Sequence, residues 1–179
     1  MNNTIQIKDK QFQISIPAEK IQHEVQRLAD EINRDMAGKE PVFLVILNGA
    51  FVFASDLIKK IHIPCRVSFV KLASYEGTGS TCNVKEIIGL SESLENQSVV
   101  VVEDIVDTGI TMDCILRNLQ SLHAKEVRVA SFFHKPEALQ KPIALDYVGM
   151  TIPNDFIVGY GLDYDGFGRN LADIYTLIK

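Results

Sequence analysis

Hydrophobic and polar positions alternate in two ways along this chain, and the switches between them outline its elements. Residues 11–16 alternate strictly, with Phe12, Ile14 and Ile16 on one side, which predicts a short strand. After Pro17, a residue suited to a first helical turn, Ile21, Val25, Leu28, Ile32 and Met36 recur at spacings of three and four. That stripe predicts an amphipathic helix ending near Gly38. Val42–Leu47 is then a continuous apolar run, predicted as a buried strand, and Asn48-Gly49-Ala50 turns it into a helix over about 51–61. Further strands are predicted at 66–72, 84–90, 99–102 and 127–133. A helix after 111 carries Met112, Ile115, Leu116, Leu119 and Leu122. The tail breaks this rhythm, with short strands at 146–152 and 156–158 about the Pro153-Asn154-Asp155 turn, then an acidic loop over 161–168.

Strands alternating with helices predict an α/β fold built on a parallel, right-handed sheet. Its 179 residues suit one domain, with a core over about 38–140 and a small addition from about 1–16 and 141–179. Composition is that of a soluble globular protein, 46% hydrophobic and 23% charged. The net charge of -5 speaks against a nucleic-acid partner. The N-terminal MNNTIQIKDK has no apolar core for a signal peptide, and no run approaches the roughly 20 apolar residues that span a bilayer. Cys65, Cys82 and Cys114 form no CxxC pair and read as free thiols, so a cytoplasmic location is expected. His23, His62, His123 and His134 have no metal-ligand spacing.

The candidate chemistry lies in VVVVEDIVDTGIT, residues 99–111. Ligands of open α/β sheets sit beyond the carboxyl ends of strands. Asp107-Thr108-Gly109-Ile110-Thr111 leads into a helix N-terminus, where N–H groups favour an anion, Gly109 permits close approach, and two hydroxyls add donors. This suits a terminal monophosphate, although an acidic turn capping a helix fits the same residues. The segment lacks a Walker A ending, and no GxGxxG follows a predicted strand. Glu103 and Asp104 are anomalous beside a phosphate. Two carboxylates there suit a vicinal diol and a hydrated Mg2+, a hard cation bound through oxygen. Phosphate, diol and Mg2+ together describe a phosphorylated ribose.

Assembled, these residues resemble the type I phosphoribosyltransferase family. The stretch VEDI-x-DTG-x-T resembles its phosphoribosyl-pyrophosphate (PRPP) motif. Together with Lys135 one strand later and VGYGLDY at 158–164, it is similar to the hypoxanthine-guanine group. The likeness runs from the strand before Asn48 to Leu171. It implies the family's fold, a parallel sheet flanked by helices under a small hood of N- and C-terminal segments. It implies purine salvage: transfer of 5-phosphoribosyl from PRPP to hypoxanthine or guanine, releasing pyrophosphate, with Mg2+ as cofactor, in a homodimer or homotetramer.

Residue roles follow from the same resemblance. Asp107, Thr108, Gly109, Ile110 and Thr111 would hold the 5′-phosphate, and Glu103 and Asp104 would face the ribose hydroxyls near Mg2+. Asp107 would also be the base near N7 of the purine. Lys135 would donate to the purine's 6-oxygen, Phe156 would stack on the ring, and backbone groups of Ile157 and Asp163 would read its edge. The Asp163 carboxylate would bind Mg2+ through water. Asn48 and Gly49, in a loop that in this family can hold a non-proline cis peptide, would contact pyrophosphate with Arg169, Ser74 and Tyr75. Residues 75–83 would close over the site. Many relatives carry a basic residue in place of Asn48, and some a lysine in place of Ile110. An enzyme of the same fold preferring xanthine, or a regulator that binds nucleotide or RNA without turnover, are the alternatives.

Overall fold

The computed structural model describes residues 3–73, 85–88 and 93–178. Two sheets divide the strands between them. The larger has the order β5-β4-β3-β6-β7-β8: β3 is Val42–Leu47, β4 Arg66–Ala73, β5 Lys85–Ile88, β6 Ser98–Val106, β7 Glu126–His134 and β8 Tyr147–Thr151. All neighbours run parallel except β4 and β5. The smaller is an antiparallel hood of β1 (Thr4–Ile7), β2 (Lys10–Ile16), β10 (Ile174–Leu177) and β9 (Ile157–Val158), in the order β1-β2-β10-β9. The predicted architecture is present.

The unbroken valines of β6 follow from burial on both faces. Val100 and Val102 join Phe43 and Val45 of β3 beneath α1 (Ala18–Asp35) and α2 (Phe51–Ile58). Val99 and Val101 join Leu44 and Ile46 on the opposite side, under Met112, Ile115 and Leu119 of α3 (Ile110–Ser121). A strand between two helical layers has no polar face to present, so its sequence does not alternate. On α1, Ile21, Val25, Leu28 and Ile32 are all fully buried, as is Met36 at its C-cap.

The differences from the sequence reading lie at element ends and in the hood. The strand predicted to stop at Val102 continues to Val106, so Glu103 and Asp104 are strand residues and the turn is confined to 107–109. Parallel pairing with β7, through Glu103–Ser131 and Ile105–Phe133, carries the strand past its carboxylates. Helix α2 stops at Ile58, short of the predicted Ile61. Segment 147–151, expected in the C-terminal addition, is the outer strand of the large sheet, paired with β7. The Arg27 guanidinium of α1 donates to the Val148 and Gly149 carbonyls of this strand at 2.7 and 3.1 Å. Strands β1 and β10 had no four-residue pattern strong enough to stand out; each is held by pairing with β2. The tail is also tied to α1, whose Ala18 N–H donates to the Asp173 carboxylate at 2.7 Å. Cys65 is a free thiol, but Cys114 is disulfide-bonded, which corrects the reading of three free cysteines.

Candidate active site

Three parallel strands end side by side, and each delivers part of the site. Strand β6 delivers Glu103, Asp104 and the 107–109 turn; β7 delivers Lys135; β3 delivers Asn48 and Gly49. The tail loop, 159–169, supplies the rest.

The 107–109 turn has the geometry expected of an anion cradle. Gly109 is the N-cap of α3 with φ 78°. A Cβ there would lie 2.7 Å from the Lys141 carbonyl, so close backing and the left-handed conformation both demand glycine. Segment 139–143 braces the turn, since Gln140 and Lys141 donate their N–H groups to the Thr108 carbonyl at 2.9 and 3.1 Å. A cavity of about 90 Å³ is walled by Glu103, Val106, Asp107, Thr108, Gly109 and Thr111. Ile110 is exposed at the helix start.

The Lys135 side chain is 8% exposed, and its Nζ lies 3.8 Å from Asp107 Oδ2. Its backbone N–H donates to the Val106 carbonyl at 3.0 Å, which continues the β6–β7 ladder one residue past β7 and fixes where the side chain starts. Asp107 is half exposed, and so reachable by a ligand. A buried ammonium with a half-exposed carboxylate as its near partner is a hydrogen-bond donor held ready for an acceptor.

Glu103 and Asp104 turn back on their own strand. The Asp104 N–H donates to Glu103 Oε1 at 3.2 Å, and the Ile105 N–H to Asp104 Oδ1 at 2.9 Å. Burial pushes Glu103 well above the usual carboxylate range, and the Asp104 charge and hydrogen bond push it the same way. Burial also raises Asp104, against its bond to Glu103, bonds to backbone N–H groups and the Arg169 charge. Of the two carboxyls, Glu103 is the one pushed further up, by burial and by the neighbouring Asp104. A carboxyl whose folded pKa is raised contributes stability below its unfolded pKa, about 4.3, and loses it as pH climbs towards the folded value. Glu103→Gln, which keeps a donor for Asp104, is expected to stabilise the unliganded protein at pH 8 by about 1–3 kcal/mol. That is several degrees of melting temperature, at roughly 2–4 °C per kcal/mol for this size. The gain should vanish near pH 4, and parallel melting curves of the two proteins across pH would refute the assignment.

The 48–49 loop meets this pair directly. The Leu47–Asn48 peptide is cis. A Cβ on Gly49 would fall 1.5 Å from Asp104 Oδ2, so the Asp104 carboxylate occupies the space a side chain would need. Gly161 in turn packs on the Gly49 carbonyl, 2.1 Å from where its own Cβ would be. Gly49→Ala is expected to displace the Asp104 carboxylate and lower catalytic efficiency at this site about 100-fold, the size of a 1 Å misplacement. Steady-state kinetics on the folded variant measures this.

In the tail, Arg169 pairs with Asp163 Oδ1 at 2.5 Å and donates from Nη1 to the Gly161 carbonyl at 2.6 Å. The other Asp163 oxygen accepts the Gly166 N–H at 2.6 Å. Phe156 is 46% exposed, with Tyr164 edge-on at 5.9 Å and Phe12 tilted at 6.3 Å behind it. Ile157 pairs with Thr176 in the hood. The structure thus brings Asn48, Gly49, Glu103, Asp104, Asp107, Lys135, Asp163 and Arg169 to the same strand ends. Phe156 and Ile157 stand on the hood, linked to Asp163 through Tyr164. Ser74, Tyr75 and the whole predicted closing segment, 75–83, lie outside the described residues. Sequence reasoning missed the close fit of Gly161 against Gly49 and the bracing segment 139–143. Neither carries a local signal, because both depend on contacts between distant segments.

Residues 17–165 match the family model described as the phosphoribosyl transferase domain, and the chain belongs to that family. It is 38% identical over 171 residues to a hypoxanthine-guanine phosphoribosyltransferase of Mycobacterium avium, covering 92% of this chain and 84% of that one. A Staphylococcus aureus protein of the same name is 39% identical over 166 residues, covering 92% and 93%. Among solved structures, a hypoxanthine phosphoribosyltransferase from Staphylococcus aureus superposes with a TM-score of 0.88 at 38% identity, over 93% of this chain and 91% of that one. A hypoxanthine-guanine phosphoribosyltransferase from Bacillus anthracis gives 0.87 at 34% identity, over 97% and 99%.

Proposed function

We propose that this chain transfers the 5-phosphoribosyl group of PRPP to hypoxanthine or guanine, forming IMP or GMP and pyrophosphate in purine salvage. The observation that carries this reading is the buried Lys135 ammonium 3.8 Å from Asp107, at the strand end beside the phosphate turn. The named relatives support the same substrates.

The residues divide the work by chemistry. Residues 107–111 hold the 5′-phosphate through backbone donors and hydroxyls. Glu103 and Asp104 accept from the ribose hydroxyls. Asp107 takes or shares the purine proton at N7, and Lys135 donates to the 6-oxygen. A 6-amino group would meet Lys135 donor to donor and leave both unpaired, which strongly disfavours adenine. Phe156 stacks on the ring while backbone groups of Ile157 and Asp163 read its edge. As the glycosidic bond to pyrophosphate breaks, positive charge builds on the sugar and negative charge on the leaving group. Arg169, with the donors of the 48–49 loop, stabilises the latter.

The donor set also fits Mg2+. Asp163, Glu103 and Asp104 offer oxygen ligands, and among the described residues no cluster of three or more His, Cys, Asp or Glu could hold a metal by protein ligands alone. An ion held there would be shared with substrate oxygens and water. When bound, it would neutralise charge on the departing pyrophosphate. Asp163 would hold it through water, with Glu103 and Asp104 nearby.

The reading extends to a homodimer or homotetramer in the cytoplasm. Exposed Val67 and Phe69, two apart on β4, form an apolar strip that a second copy could cover. Among the described residues no helix is long and apolar enough to cross a membrane. The test is product formation by purified protein with PRPP, Mg2+ and each of hypoxanthine, guanine, xanthine and adenine. IMP and GMP are expected, without AMP. No nucleotide from either hypoxanthine or guanine would overturn the reading, and a preference for xanthine would move it to the neighbouring specificity.

A further inference from the structure

Two segments proposed to hold pyrophosphate approach from opposite ends of the chain: the 48–49 loop at the end of β3, and the tail loop with Asp163 and Arg169. Their contact is glycine on glycine, with Gly161 against the Gly49 carbonyl. Such a contact contains no side chain and does not by itself hold a spacing. A neighbouring side chain does so. Tyr160 is 3% exposed and has φ 49°, between Gly159 at 105° and Gly161 at 99°. Its ring lies 5.2 Å from Phe132 of the core, and its hydroxyl donates to Asp56 Oδ2 at 3.1 Å. Asp56 lies on α2, the helix entered directly from the 48–49 loop. The same carboxylate accepts from Gln22 on α1 at 2.6 Å and from Lys59 at 2.7 Å. On the tail side, the Tyr160 N–H donates to the Leu171 carbonyl at 2.8 Å, and the Gly161 N–H to the Arg169 carbonyl at 3.0 Å.

We infer that Tyr160 is a positioning residue for the pyrophosphate end of the site: its hydrogen bond to Asp56 sets the distance between the 48–49 loop and Arg169. A non-glycine residue in the left-handed region is costly unless its surroundings hold it there. Here the surroundings are a four-membered polar network and an aromatic core. The hydroxyl is kept as a donor, because burial and the Asp56 charge both push its pKa up. Asp56 stays ionised: burial raises it, but the bonds from Lys59, Gln22 and Tyr160 outweigh that and lower it. Tyr160 touches neither the Lys135 and Asp107 pair nor Phe156 among the described contacts, so its effect should be confined to the pyrophosphate end.

This inference rests on the phosphoribosyl-transfer reading, and the experiment separates the two. Tyr160→Phe removes the hydroxyl and keeps the ring. Its KM for PRPP, and for pyrophosphate in the reverse direction, should rise about fivefold or more, the scale of one hydrogen bond. KM for hypoxanthine and for IMP should stay within about twofold, below that scale. Asp56→Asn, which alters the same bond from its other end, should show the same split. The double variant should be no worse than the more impaired single variant, because both break one bond. Should Tyr160→Phe fail to fold, the split in Asp56→Asn decides. Unchanged KM for PRPP and pyrophosphate, equal rises for PRPP and purine, or multiplied effects in the double variant would each overturn the positioning role. Absence of transfer by the wild-type protein would instead overturn the functional reading.

Discussion

Asp107→Ala is expected to lower kcat by about 10²–10⁴-fold, the range of general-base assistance, while the protein stays folded. Asp107 is half exposed and belongs to none of the three buried apolar clusters, so the fold loses little. On the proposed assignment, what is lost is the acceptor for the purine proton, together with the near partner of the buried Lys135 ammonium. Steady-state kcat of the variant, with circular dichroism as the check on folding, measures the loss. A variant with wild-type turnover across pH would show that proton transfer at N7 does not involve this carboxylate.

Lys135→Met carries the second large effect. The methionine keeps much of the length of the lysine stem and fills the same buried space without a charge, so the strand end should remain packed. The proposed donor to the 6-oxygen disappears. Loss of one preorganised donor of this kind costs about 10²–10³-fold, and kcat/KM for hypoxanthine and guanine is expected to fall by that amount. Adenine should behave differently, because the group proposed to reject it is gone. The ratio of hypoxanthine to adenine rates should collapse even where both rates are low. Competition assays with the two bases measure this ratio directly. An unchanged ratio would place base discrimination in the hood, at Phe156 and Ile157.

The central motif was legible because its parts are contiguous. Val99–Val102 announce a strand buried on both faces, and Asp107–Thr111 announce a turn into a helix. Both are local statements of burial and capping, and the structure agrees with both. The stripe of α1 was legible for the same reason, since period 3.6 is written in neighbouring residues. The hood was legible only in part. Strands β1 and β10 are four residues each and gain their identity from β2, more than 150 residues away from β10 in the chain. Strand β8 looked like part of the tail because nothing in 147–151 indicates which sheet receives it; pairing with β7 and the Arg27 bridge decide that.

The residues of the site follow the same division. By itself the amino-acid sequence determined the α/β alternation, the phosphate turn, the acidic pair and the resemblance that assigns Lys135, Phe156, Asp163 and Arg169 their roles. Tertiary structure alone decided that Glu103 and Asp104 lie within a strand, where burial pushes the Glu103 carboxyl well above its usual range. It alone placed the Asp104 carboxylate in the space beside Gly49, and locked Asp163 onto Arg169. It alone tied Tyr160 to Asp56 across 104 residues of chain. The physical reason is that burial and close approach are properties of pairs of segments. A sequence states which groups are available, and the packing of distant segments sets their distances, their protonation and the partners they meet.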